Sequence, residues 1–350
     1  MDLNQIIPNL NVGLTGVGFL FGAGTSLIAG FPLSKGLTIK VIGNLNEIHR
    51  NKLIEQFEEE KIEYDFSKGR PDIEFIFSKV SEYKLRLRDT IYNELESALL
   101  KGILDVIRNN KSPNLSYHIN FLKAIKRLVG SNNLRIFIFT TNWDLSFEMA
   151  AKYSKIPIYN GFMGTLYRYF DVSSYKLRRG NIINSNKFKE LNGPVIILIK
   201  LHGSISWYKE NMNVYESSEC IFKEDKDKVI ILPREEKVMD TLGKPFDQIF
   251  SYCNNILGSA GCRYLISCGY SFRDFHINER LLEPKLKSNK IKLTSLFQDI
   301  SESAELFKQY PSFQFITEEQ NNINGSIENI PSDIWKFSRF VEEFKKKVGL

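Results

Sequence analysis

Cysteine is scarce in this 350-residue chain, and Cys220, Cys253, Cys262 and Cys268 include no C-x-x-C pair. That lack argues against both a zinc ribbon and a secreted disulfide framework, which need closely spaced or paired thiols. No run reaches the roughly 18 apolar residues of a membrane span, and the first residues lack the basic stretch and apolar core of a secretory signal. A cytoplasmic location, with no membrane partner, is the expectation. Long basic blocks are missing too: 47 Lys and Arg stand against 41 Asp and Glu, leaving a net charge of +6 spread along the chain. Direct sequence-specific nucleic-acid binding is therefore not expected. There is no G-x-x-x-x-G-K-[ST], which argues against a P-loop ATPase, and no internal repeat or low-complexity segment.

What is present is an ordinary globular composition, 43% apolar and 25% charged, in a chain long enough for one large or two modest domains. Five apolar runs rich in branched or aromatic residues read as buried strands: Val17 to Phe21, Leu134 to Phe139, Val195 to Ile199, Val229 to Leu232, and Tyr264 to Ser267. Long intervals separate them, as crossover helices in a parallel sheet require. Between them, residues 44–109 turn charged, with apolar residues at three- and four-residue steps, and read as a helical insertion. Ser112 before Pro113 suits a helix start, and residues 208 to 228 read as a surface excursion. Ile334, Phe337, Val341 and Phe344 share one face of a terminal helix. The division expected is residues 1–43 with 110–300 as the parallel-sheet domain, 44–109 as helical insertion, and 301–350 as a C-terminal extension ending in a helix.

Four strands end in polar motifs: "FLF" in "GAGTS", "IFIFT" in "TNWD", "IILIKL" in "HGS", and "YLISC" in "GYSFRDFHIN". In an open parallel sheet the carboxyl ends lie along one edge, so the four clusters converge on a single crevice and predict a ligand site. A strand that runs into small residues and then a helix start leaves backbone N–H groups to hold a phosphate. Each cluster also has a plainer reading. Gly22, Ala23 and Gly24 could only permit a tight turn, and Leu27 stands where the dinucleotide fingerprint has its third glycine. Asp144 could cap the following helix, Asn142 and Asn278 could be turn residues, and His202 could be a hydrogen-bonded histidine at a strand end. His49 and His118 lie in helical context and read as structural.

Taken together the four motifs resemble the sirtuin family, the silent-information-regulator proteins that bind NAD. Its G-A-G-x-S turn and G-[IF]-P step match Gly22-Ala23-Gly24-Thr25-Ser26 and Gly30-Phe31-Pro32. Its T-[QT]-N-x-D motif matches Thr140-Thr141-Asn142-Trp143-Asp144, and its H-G motif His202-Gly203. Gly269 to Asn278 is similar to a segment of the sirtuin-like NAD-cleaving proteins of bacterial anti-phage defence. Two departures matter. Deacetylase sirtuins continue from the proline with D-F-R, where this chain has Leu33-Ser34-Lys35, and they carry two C-x-x-C pairs that are absent here.

The resemblance implies an α/β fold, a Rossmann-like doubly wound parallel sheet with an inserted helical subdomain and no zinc module. It implies an NAD+ hydrolase that cleaves the nicotinamide–ribose bond, acting in abortive infection by NAD depletion, with NAD+ as substrate and no metal. Asn142 would orient the attacking water or ribose hydroxyl, Asp144 would hydrogen-bond the carboxamide, and His202 would be the general base. Gly22, Ala23, Gly24, Ser26, Thr141 and Gly203 would hold the dinucleotide, and Gly269, Ser271 and Asn278 its adenosine half. Because a free-running NADase would kill its cell, the resemblance also implies a homo-oligomer or a partner, such as a helicase-like ATPase or a nucleic-acid-guided protein. Two other readings stay open: a module that binds NAD or ADP-ribose uncleaved and works through partner assembly, and a deacylase or ADP-ribosyl transferase.

Overall fold

The computed structural model describes residues 3–183, 186–234, 237, 239–323 and 325–350. In chain order its strands are β1 (Val17–Phe21), β2 (Arg135–Thr140), β3 (Ile158–Tyr159), β4 (Phe162–Met163), β5 (Arg168–Phe170), β6 (Gly180–Ile183), β7 (Lys187–Glu190) and β8 (Val195–Lys200). They continue with β9 (Gly203–Glu210), β10 (Asn213–Glu216), β11 (Lys228–Ile230), β12 (Tyr264–Cys268), β13 (Lys292–Leu296), β14 (Phe313–Ile316) and β15 (Asn321–Asn322).

Eight of these form one sheet in the order β15-β14-β13-β12-β1-β2-β8-β3. All pairs are parallel except β14 with β15. Alternate strand residues enter two separate cores. Leu20, Phe139, Ile199 and Leu265 point to one face, whereas Phe19, Phe21, Ile138, Leu198 and Ile266 point to the other. Burial on both faces explains why these strands read as continuous apolar runs. The helix Phe246–Ile256 covers the first face; Ser116–Val129, Ser146–Ser154 and Phe337–Val348 cover the second. This is a doubly wound α/β architecture.

The run near Val229 does not join that sheet. β11 pairs antiparallel with β9 in a five-stranded sheet ordered β11-β9-β10-β5-β4. Only Leu201 and His202 separate β8 from β9, and so short a link cannot make a parallel crossover. The polar interval after residue 208 thus contains the end of β9 and all of β10.

Helices Ser34–Gly43, Glu47–Glu59, Ile73–Leu87 and Thr90–Arg108 share a core of their own, built on Leu53, Phe57, Phe77, Val80, Leu95 and Leu99. Asn46, Asp72 and Asp89 cap three of them by accepting from the amides of His49, Phe75 and Ile91, which supplies the partners that first-turn N–H groups lack. This core takes in Val41 and Ile42, ahead of residue 44. The helix expected at Pro113 begins at Ser116, whose amide donates to Asn114 Oδ1. Beyond residue 300 the chain supplies β14, β15 and the helix Phe337–Val348, whose Phe344 meets Phe19 and Phe121 edge-on; Ile334 is buried just before that helix. Among the described residues no helix is long and apolar enough to cross a membrane.

One core residue fits poorly. His118 is fully buried between Phe147 and Phe337, each at 5.0 Å centroid distance, and neither ring nitrogen has a hydrogen-bond partner. Burial lowers its pKa to about 4. The folded state therefore resists a proton that the unfolded chain accepts near pH 6.5, so stability falls as pH drops through the window between those values. Replacing His118 by Leu is expected to stabilise the protein by about 1–2 kcal/mol at neutral pH, the scale of an unsatisfied buried polar group. Thermal melts at pH 7 and pH 5 should show the gain widening at the lower pH; a gain that shrank there would contradict the account.

Candidate functional site

From β1 the chain builds outward through β2 and β8 on one side, then later through β12, β13 and β14 on the other. The order reverses between β1 and β12, and open α/β sheets bind ligands at the carboxyl ends beside such a reversal. A cavity of about 900 Å³ lies there. Its walls come from the turns after β1, β2, β8, β12 and β13, from Ile73 and Glu74 of the helical group, from Lys237, and from Trp335 to Ser338.

The first and fourth motifs meet at the floor. A Cβ on Gly22 would lie 2.4 Å from the Gly269 carbonyl oxygen, and one on Gly24 would lie 2.7 Å from Gly269 Cα. Gly269 itself has φ +63°, in the left-handed region. The amides of Gly22 and Gly24 donate to the carbonyls of Cys268 and Gly269, and that of Thr25 to Gly22. What the sequence reads as a helix opening is a single α turn, Ala23–Ser26, followed by a 3-10 turn, Leu27–Ala29. Much of the amide capacity expected to face a phosphate is therefore engaged in joining two turns.

The second motif locks onto the first. Asn142 Nδ2 donates to the Gly22 carbonyl (3.0 Å) and to Ser26 Oγ (2.8 Å), and Ser26 Oγ donates to Asp144 Oδ2 (2.7 Å). Asp144 Oδ1 accepts from the amide of Ser146, the first residue of the following helix. Thr140 Oγ1 accepts from the Asn142 amide. Beneath them the buried Lys200, at the end of β8, donates to the Asp144 carbonyl and to Glu148 Oε1. Burial raises the Glu148 carboxyl even against the attraction of Lys200.

The third motif meets the end of the fourth. His202 Nε2 is 3.1 Å from His276 Nε2 and 3.5 Å from Asp274 Oδ1. Asp274 accepts from Lys237 Nζ at 2.7 Å, and Lys237 also pairs with Glu74 at 3.4 Å. Burial lowers His202 to about 4 against the pull of Asp274; burial and His202 bring His276 to about 3. Both rings are uncharged at neutral pH. Burial works to raise Asp274, but His202 and Lys237 outweigh it and hold that carboxyl at about 2. Burial likewise works against the Lys237 ammonium, which Asp274 and Glu74 together hold above its ordinary value.

Of the residues singled out in the sequence, Gly22, Ala23, Gly24, Ser26, Thr141, Asn142, Asp144, His202, Gly269 and Ser271 all line this cavity. Gly203 and Asn278 do not. Gly203 has φ +81° and packs under β11, where a Cβ would lie 2.1 Å from the Val229 carbonyl oxygen. Asn278 is buried behind the wall, donating to the Phe272 carbonyl and accepting from Tyr270 Oη. Sequence reasoning missed Asp274, His276, Lys237 and Glu74. Asp274 and His276 stood inside the quoted "GYSFRDFHIN", whereas Lys237 and Glu74 carry no local signal.

Gly24→Ala should cost about 1–3 kcal/mol, because the added methyl meets backbone that cannot move alone. Gly43→Ala, where nothing lies within 4 Å of the added atom, is the matched control and should be neutral or slightly stabilising. Denaturant melts of the two variants check this, and equal stabilities would refute the close-approach argument.

The chain matches the family model of the SIR2-like domain over residues 136–312, just over half its length. No curated protein matches it at a significant level. Among solved structures it is similar to one from a study of the structural basis for the mechanism and regulation of Sir2 enzymes, at 11% identity and TM-score 0.44, covering 99% of this chain and 100% of that one. It is also similar to the crystal structure of a SIR2 homolog–NAD complex, at 12% identity and TM-score 0.45, covering 95% and 90%. Among the described residues Cys253, Cys262 and Cys268 are free and buried, and none belongs to a cluster of metal-ligating groups. On the family match, the protein belongs to the SIR2-like family.

Proposed function

We propose that the protein is an NAD+ glycohydrolase, releasing nicotinamide and ADP-ribose. The observation that carries this reading is the meeting of Asn142 and His202 with the Gly22–Ser26 turn in one cavity at the switch point of the sheet. Departure of nicotinamide, a cationic leaving group, leaves an oxocarbenium-like ribose, and a site that cleaves this bond must hold the sugar and position a water. In this reading the pyrophosphate lies against the Gly22–Ser26 turn. Asn142, held by its amide nitrogen, keeps its carbonyl oxygen for the water or a ribose hydroxyl. His202, uncharged at neutral pH, accepts the proton. Asp144 retains lone pairs beyond the bonds from Ser26 and Ser146 and accepts from the carboxamide. Gly269 and Ser271 flank the adenosine half, with Asn278 bracing that loop from behind.

The departures from deacetylase sirtuins, no D-F-R step and no paired cysteines, favour hydrolysis over deacylation. Such an activity must be restrained in its cell. We read the protein as a gated effector of anti-phage defence, released by self-assembly or by a partner such as a helicase-like ATPase or a nucleic-acid-guided protein. One observation favours a second reading, a module that binds NAD uncleaved. The Asn142 amide group is already engaged by Gly22, Thr25 and Ser26, as a purely structural asparagine would be.

Purified protein incubated with NAD+ should release nicotinamide and ADP-ribose in equal amounts by chromatography. His202→Ala and Asn142→Ala should each lower the rate by about 100-fold or more, the usual share of a general base or a positioned water. Tight NAD+ binding with no release in any condition of assembly would favour the binding module instead.

A further inference from the structure

His202, Asp274 and His276 present ligand atoms that all lie within 4.8 Å of one another, and all three residues are buried. We infer that they form a site for a divalent transition-metal ion, with Zn2+ the fitting probe. Two imidazoles and one carboxylate are a donor set that such ions favour over Mg2+ or Ca2+. Two of the three spacings fit as they stand, and the third, between His276 and Asp274, is within 4.8 Å and has to close on binding. A tetrahedral zinc with bonds of about 2.0–2.1 Å keeps its ligand atoms about 3.4 Å apart; His202 Nε2 stands 3.1 Å from His276 Nε2 and 3.5 Å from Asp274 Oδ1.

Among the described residues, Lys237 competes for that space, with its ammonium 2.7 Å from the same Asp274 oxygen. Glu74 offers that ammonium a second acceptor at 3.4 Å, so it has a place to go when a metal takes the Asp274 lone pair. Both imidazoles coordinate through Nε2, which requires each to carry its hydrogen on Nδ1. With one ring donating from Nε2 to the other across the 3.1 Å contact, binding requires that hydrogen to move to the donor ring's Nδ1, and no net proton is released. His202 and Asp274 line the cavity, which gives the ion a way in and leaves its remaining position open toward water.

Metal binding stands on this geometry alone, but its consequence rests on the hydrolase reading. An ion on His202 Nε2 occupies the lone pair assigned to proton acceptance, so zinc inhibits NAD+ cleavage. The site then acts as a metal-sensitive brake on the same chemistry.

The test is a competition titration of the full-length, metal-free protein with Zn2+ against a chromophoric chelator. One zinc per chain is expected, with affinity lowered at least tenfold in His276→Gln and in Asp274→Asn. Lys237→Met should bind more tightly than the native protein, because it removes the competing cation. Circular dichroism melts establish that each variant is folded, and His276→Gln is chosen because it preserves the size of the side chain. Absence of stoichiometric zinc, or binding that survives both ligand substitutions, would overturn the site. In parallel, NAD+ cleavage by the native protein should fall on adding zinc and return with a chelator. Zinc binding without inhibition would overturn the brake. No cleavage by metal-free protein would instead count against the hydrolase reading while leaving the titration result in force.

Discussion

The site depends on the contact of two turns that carry no side chains where they touch. Gly22 and Gly24 after β1 lie against Gly269 after β12, at separations where any Cβ would overlap backbone. Those strands are neighbours with Phe19 in register with Ile266, and the chain reverses its direction of sheet building between them. Without glycine the loops would be forced apart and the floor of the cavity would open. The plain reading of this motif as a tight turn accounts for the contact itself, and its reading as a ligand cradle belongs to the proposed function.

Above that floor, order is imposed by polar bonds linking segments over a hundred residues apart in sequence. Asn142, Ser26 and Asp144 form a continuous chain of donors and acceptors, and Asp144 is fixed again by Ser146. The buried Lys200–Glu148 pair stabilises little by itself, since desolvation offsets most of its attraction. Its role is geometric: it pins the Asp144 backbone from below. These bonds fix the relative positions of Asn142, Ser26 and Asp144, which is the preorganisation that the proposed function draws on.

Much of this was legible in the sequence where a single local rule applied. Continuous apolar runs gave β1, β2, β8 and β12 because both faces of those strands are buried, and the polar ends of four strands converge as an open parallel sheet requires. The antiparallel sheet was hidden, because β9 and β10 carry polar residues such as Lys209, Glu210 and Asn213 on exposed positions and imitate a loop. Asn278 is a ligand residue by the family resemblance and a turn residue by its own chemistry; the fold shows it buried and donating to the Phe272 carbonyl. His276 was overlooked. Its meaning lies in His202, far away in sequence, and no periodicity reports which ring will face which.

The rim of the cavity is built differently from its floor. Asp72 and Glu74, at the start of the helix Ile73–Leu87, pair with Arg273 and Lys237, so a helical group that also packs Leu104 against Ile205 and Ile230 meets the site's rim through ion pairs. Overlap of backbone atoms at the floor is indifferent to salt. Of the two pairs, Arg273–Asp72 faces solvent and is open to partial screening by salt, whereas the buried Lys237 is screened much less. The cavity therefore has a floor set by backbone contact and a rim in which one exposed ion pair is the part that salt can reach.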